Sequence, residues 1–152
     1  WQSSKAFTRE EIYNPESRLY VDEAPLYPDV RTAVEMIHRS GGIAFLAHLY
    51  IYAHAPEFRR RLWEIVREFG LDGVECAHSA FTAEQILDLN GFCREHGLLR
   101  SGGSDYHGSR KPGVSLGTGR GQLDITEEYL KEWPGDKRRG WETDGILPPP
   151  QV

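Results

Sequence analysis

Gly41-Gly42-Ile43-Ala44-Phe45-Leu46-Ala47-His48 sets the architecture of the chain. Its apolar run, Ile43 to Ala47, is too short for a helix and suits a buried strand, while the glycine pair stops whatever precedes it. Upstream, Val30, Val34 and Ile37 mark one face of a helix preceded by Pro28-Asp29. Downstream, Phe58, Leu62, Ile65, Val66 and Phe69 recur at helical spacing, with Pro56 near the start and Gly70 beyond the end. Gly73-Val74-Glu75-Cys76-Ala77 then repeats the strand. Thr82-Ala83-Glu84-Gln85 is a capping box opening a third helix, with Ile86, Leu89 and Cys93 inward and Gly97 as its stop. Leu98-Leu99-Arg100-Ser101 reads as a third strand.

Strand starts at 43, 73 and 99 are spaced by 30 and 26 residues, the βαβ repeat of a parallel sheet. The fold class expected is therefore α/β. A closed βα barrel takes about 250 residues, so 152 residues hold about half of one, or a small open sheet. Open strand edges need a cover, from residues 1–30, from the tail, or from another segment or chain.

The 152 residues favour one domain by length, and 39% apolar with 27% charged residues reads as globular. No apolar run approaches the ~20 residues of a membrane span, and no secretory signal opens the chain. A net charge of -5 argues against a broad duplex nucleic-acid footprint. Cys76 and Cys93 fit buried, reduced thiols, which makes a cytoplasmic protein the expectation. The chain opens with Trp1 and its only methionine is Met36, so a segment upstream is expected. Residues 1–29 read as an irregular linker. Residues 126–152 read as a polar tail, with Lys137-Arg138-Arg139 and an extended Pro148-Pro149-Pro150 end.

In a parallel βα array, functional groups gather past the carboxyl ends of the strands. Those positions carry His48 and then His54, Glu75 and His78, and the loop Gly102-Gly103-Ser104-Asp105-Tyr106-His107-Gly108. His38 and His96 fall instead in last helical turns, where a cation complements the helix dipole. Imidazoles with carboxylates suit zinc, manganese or iron. The alternative is a hydrogen-bonded polar network that merely closes the barrel mouth.

The order helix-GG-strand-Ala47-His48, then Gly70-Leu71-Asp72-Gly73-Val74-Glu75-Cys76-Ala77-His78-Ser79, then Gly102 to Gly108 followed by Lys111-Pro112-Gly113 and Leu116-Gly117-Thr118-Gly119, spans about residues 30–120. It resembles the PHP (polymerase and histidinol phosphatase) family, in the carboxyl-terminal half of its stand-alone phosphoesterases. The resemblance implies a partial, distorted (β/α)7 barrel over residues 30–125, with divalent metal ions (Mn, Zn or Fe) at the strand ends. It makes His48, Asp105 and His107 metal ligands. Glu75 and His78 become catalytic or supporting residues. His78, Ser79 and Lys111 become contacts to a phosphate ester, nucleotide or oligonucleotide. Two departures stand out. Leu49 replaces the family's usual proline, and Tyr50-Ile51-Tyr52 gives a more hydrophobic pocket wall that His54 could join. The family's amino-terminal His-x-His motif and Glu ligand have no counterpart. The expectation is thus a metal-dependent phosphoesterase that is inactive as this chain alone, completed by a missing amino-terminal half or a second copy. The alternative is a non-catalytic module that binds a partner or completes another chain's barrel.

Overall fold

The protein is described by a computed structural model covering residues 3–52 and 54–134. The basic triplet and the proline run of the tail lie outside the described residues. Three strands, β1 (Phe45–Leu46), β2 (Gly73–His78) and β3 (Leu99–Gly103), form one parallel sheet in that order. The parallel α/β reading therefore holds. β1 is shorter than its apolar run. Asp72 accepts the Ala44 amide through Oδ2 at 2.7 Å and donates its own amide to the Ala44 carbonyl at 2.9 Å, so a side chain replaces the first rung of the ladder.

The chain divides after Ala33 into two compact units rather than one. In the first, residues read as irregular include α1 (Ser4–Phe7), continued by one wider helical turn over Thr8–Ile12, and a single turn at Ala24–Leu26. Neither proline nor glycine interrupts residues 3–12, so nothing local prevents the helical turns.

α2 (Val30–Arg39) starts where Asp29 accepts the Thr32 amide at 2.8 Å. Of its expected apolar face only Val34 is buried; Val30 and Ile37 are exposed. Ile37 lies over the chain reversal at Gly42, where an added Cβ would meet its side chain at 2.9 Å. The helix expected through Phe69 is broken at Arg61 into α3 (Ala55–Arg60) and α4 (Leu62–Phe69). The break leaves Leu62 and Val66 in the core and turns Phe58 outward. α5 (Ala83–His96) has the full capping box: Thr82 Oγ1 accepts the Gln85 amide at 3.3 Å and Gln85 Oε1 accepts the Thr82 amide at 2.9 Å.

The core lies between the helices and one face of the sheet, with Leu62, Val66, Val74, Cys76, Leu89 and Cys93 at its centre. Cys76 and Cys93 are unbridged, buried and 3.5 Å apart, as the thiol reading expected. Contact with Cys93 and burial push the Cys76 thiol far up. The tail is structured where it begins. Thr126 caps a turn over Glu127–Glu132. Trp133 packs on Phe45 at 5.0 Å and donates its indole N–H to the Arg100 carbonyl at 3.0 Å. Ile125 and Tyr129 occupy the space that a side chain at Gly102 would need. Residues 125–133 thus supply part of the sheet's cover. Among the described residues no helix is long and apolar enough to cross a membrane.

Candidate functional site

The strand pairing itself assembles the site. Glu75 pairs with Ser101, Ala77 with Gly102 and His78 with Gly103, so three steps along β2 match two along β3, with a bulge between Glu75 and Ala77. Alternate residues of a strand share a face. Ser101 and Gly103 therefore face the same way, and the bulge brings Glu75 and His78 onto that face despite their odd spacing. Cys76 and Val74 go to the opposite, core face. Gly103 is small for the same reason: a Cβ there would sit 2.9 Å from Glu75 Oε1.

β1 delivers His48. Its backbone is left-handed (φ 36°, ψ 48°) and heads a short turn over Leu49–Ile51. Glu75 Oε2 accepts the His48 amide at 2.7 Å, which holds that conformation from the neighbouring strand. Burial raises the Glu75 carboxyl above the usual range, against the opposing pull of the His48 amide. Nδ1 of His48 is buried and has no hydrogen-bond partner. The turn is anchored behind by Tyr50, whose hydroxyl donates to Asp88. Arg59 grips the same carboxylate through Nε at 2.5 Å and Nη2 at 2.7 Å.

His78 is 2% exposed, its ring 5.9 Å from that of His48. Its Nδ1 accepts the Ala80 amide at 3.1 Å, so in the neutral ring the proton sits on Nε2. Nε2 points at Asp105 Oδ2 at 3.5 Å, too long for a good hydrogen bond. His78 is therefore arranged as a donor.

β3 delivers Asp105, also left-handed at φ 56°. Its carboxylate pairs with Lys111, which holds it below the ordinary range, and His107 Nδ1 stands 3.4 Å from Oδ1. His107 Nδ1 also lies 2.8 Å from the Asp105 carbonyl, which suits an N–H donor and leaves Nε2 as the ring's free lone pair. His48 and Asp105 are the two non-glycine residues with positive φ among those described. Sparsely populated backbone of this kind clusters at functional sites.

The structure thus brings His48, Glu75, His78 and Asp105 to one end of the sheet. It alters the expected roles of others. Lys111 is held by Asp105. Ser79 is buried under the turn at Gly119–Leu123, its carbonyl accepting Gln122 Nε2 at 2.6 Å, so it is no surface contact for a substrate. Nor do His48, Asp105 and His107 close on one point: among the described residues no three His, Cys, Asp or Glu side chains stand close enough to hold a metal ion. The physical reasons are that Asp105 faces a lysine and that His107 turns its Nδ1 back onto its own loop. The donor types nevertheless fit a divalent cation: a buried unpartnered imidazole nitrogen, a carboxylate, and an imidazole whose second nitrogen is fixed as donor. His38 pairs with Asp72 at 2.8 Å and His96 stacks on Trp63 at 4.2 Å, both structural. The bulge left only a faint signal in the sequence, the odd Glu75–His78 spacing beside Gly102-Gly103.

No family model matches the chain. It is 37% identical over 107 residues to the 5'-3' exoribonuclease of Haemophilus influenzae, covering 70% of this chain and 38% of that protein. It is 32% identical over 93 residues to the 5'-3' exoribonuclease Rnm of Escherichia coli, covering 61% of this chain and 31% of the relative. The chain therefore spans well under half the length of the curated relatives it matches. A crystal structure from Bifidobacterium adolescentis, provisionally described as a metal-dependent phosphoesterase, superposes with a TM-score of 0.58 at 25% identity. That match covers 87% of this chain and 44% of the other.

Proposed function

We propose that this chain forms the carboxyl-side part of a PHP-type, metal-dependent phosphoesterase site acting on nucleotides or RNA, within a partial (β/α)7 barrel. The observation that carries the reading is the convergence of His48, Glu75, His78 and Asp105 at the carboxyl ends of three parallel strands, with the buried Nδ1 of His48 unpartnered. The exoribonuclease and phosphoesterase relatives support the reaction class. His48, Asp105 and His107 would give donors to a divalent ion (Mn, Zn or Fe), the remaining donors coming from protein outside these residues. Such an ion, when bound, would supply Lewis acidity and positive charge beside the phosphoryl group. Glu75 positions His48 through the backbone. His78 presents Nε2–H to the leaving oxygen or the phosphate, and can transfer that proton as the ester bond breaks. Lys111, which pairs with Asp105 here, would be free to contact the substrate phosphate if that carboxylate were given to a divalent ion.

The test is metal content and hydrolysis of a 5'-phosphorylated oligoribonucleotide by the intact protein, against Asp105→Ala and His107→Ala. Loss of bound metal together with turnover in both variants is expected; unchanged turnover removes the assignment. A second reading, a non-catalytic module completing another chain's barrel, is favoured by the Lys111–Asp105 pair, which puts a cation already in place. It prevails if the intact protein binds no divalent metal and cleaves no phosphate ester.

A further inference from the structure

Beside His48 the chain exposes aromatic surface that the proposed chemistry does not use. Tyr52 is 45% exposed and its ring lies 5.5 Å from that of His48. Phe58, 38% exposed, meets Tyr52 edge-on at 6.1 Å, and His54 meets Phe58 at 6.5 Å. Single exposed aromatics are common; here they touch one another and abut the candidate ligand. The break at Arg61 keeps Phe58 out of the core, where the helical period would have placed it. Tyr50 is different, because its hydroxyl is tied to Asp88 and its ring packs edge-on against Phe81 at 5.4 Å.

Ile51 and Tyr52, the exposed residues of the turn after His48, carry no charge, so recognition there works through ring faces and apolar contact. A nucleotide has two unlike ends, a phosphate and a flat base. With the phosphate at the strand ends near His48, the base falls on the neighbouring ring. We infer that Tyr52, braced edge-on by Phe58, is the stacking platform for a nucleobase of the substrate. The inference rests on the phosphoesterase reading for where the phosphate sits. It makes the substrate a single-stranded nucleic acid or nucleotide, since a base inside a duplex offers no free face.

The experiment uses the intact protein with Mn²⁺ and two 5'-phosphorylated strands of equal length, one an oligoribonucleotide and one lacking all bases. Wild type is compared with Tyr52→Ala, Tyr52→Leu and Tyr52→Trp. Base stacking on an aromatic is worth enough that its loss costs about tenfold in affinity or more. The preference for the base-bearing strand, taken as a ratio of KM values, is expected to fall about tenfold in Tyr52→Ala and Tyr52→Leu and to return in Tyr52→Trp. The indole emission gained in Tyr52→Trp is expected to be quenched by the oligoribonucleotide without added metal, when nothing turns over. Equal losses on both strands would overturn the platform, showing that Tyr52 only supports His48; so would a preference unchanged by removing the ring. Quenching of the Tyr52→Trp emission by the base-bearing strand alone, in a protein that hydrolyses neither strand, sinks the hydrolase reading and leaves the platform standing. Absence of both quenching and hydrolysis removes the two together.

Discussion

Glu75 and His78 stand on one face of the sheet although three positions separate them, because a bulge lets them pair with Ser101 and Gly103. Without the extra residue an odd spacing would send one of them into the core. The same pairing crowds Gly103 against the Glu75 carboxylate. Gly103→Ala places a methyl 2.9 Å from the end of a movable side chain. The carboxylate shifts and releases the His48 amide, while the backbone stays. Thermal melting is expected to change by a few degrees at most, and hydrolysis by the intact protein to fall about 10- to 100-fold, the range typical of residues that orient a ligand. Gly73→Ala is the contrasting variant. Its methyl would collide with the Leu99 carbonyl and the Phe45 ring, so it is expected to disrupt the fold. Full activity in Gly103→Ala would remove Glu75 from its positioning role.

His78 offers a sharper kinetic test. If Nε2–H protonates the leaving oxygen, His78→Gln lowers kcat on an oligoribonucleotide by roughly 10²- to 10⁴-fold. With an activated ester such as p-nitrophenyl phosphate, whose leaving group needs no proton, the loss is expected to shrink towards the variant's effect on KM alone. An equal loss on both esters assigns His78 to phosphate binding or to packing instead.

The Tyr50–Asp88–Arg59 cluster predicts how stability varies with pH. Arg59 holds the Asp88 carboxyl below its ordinary value, so the pair stabilises the fold above the usual carboxylate range. That stability is lost as pH falls through the lowered value. At the other end, burial and then Asp88 push the Tyr50 phenol up to about 12. The folded state keeps this proton where the unfolded chain releases it, so stability falls as pH rises from about 10, the usual phenol value, to about 12. Equilibrium unfolding of wild type against Asp88→Asn and Tyr50→Phe, taken across both windows, is expected to show a smaller acid loss in the first variant. The second is expected to show a smaller alkaline loss. Parallel curves for all three proteins would show that the cluster contributes nothing.

Leu89 and Leu87 are two positions apart on α5 and differ almost completely in environment, at 0% and 72% exposure. Leu89→Ala opens a cavity under β2 and is expected to cost about 2–5 kcal/mol. Leu87→Ala removes exposed surface and is expected to stay within about 0.5 kcal/mol. Denaturant midpoints at constant slope measure both; similar costs would place the core elsewhere.

Elements written in local chemistry were legible before the structure. The capping box at Thr82, the left-handed stop at Gly97 and the three parallel strands all follow from residue pattern alone. What escaped depends on contacts distant in sequence. Nothing near Phe58 announces a break at Arg61, and the alternation of residues 73–78 gives no sign of a bulge that only pairing with β3 defines. The site was legible as a set of residues but not as an arrangement. His48, Glu75, His78 and Asp105 do gather as strand-end logic requires. The lysine on Asp105 and the burial of Ser79 arise from loops whose courses no short motif encodes.

The left-handed backbone at His48 carries a conformational cost. A side chain there costs on the order of 1–2 kcal/mol that glycine would not. Mutation towards a more stable protein therefore has an open route at this position, and at Asp105 on the same grounds. An imidazole and a carboxylate thus occupy the two left-handed positions outside glycine among the described residues, each where a glycine would sit with less strain.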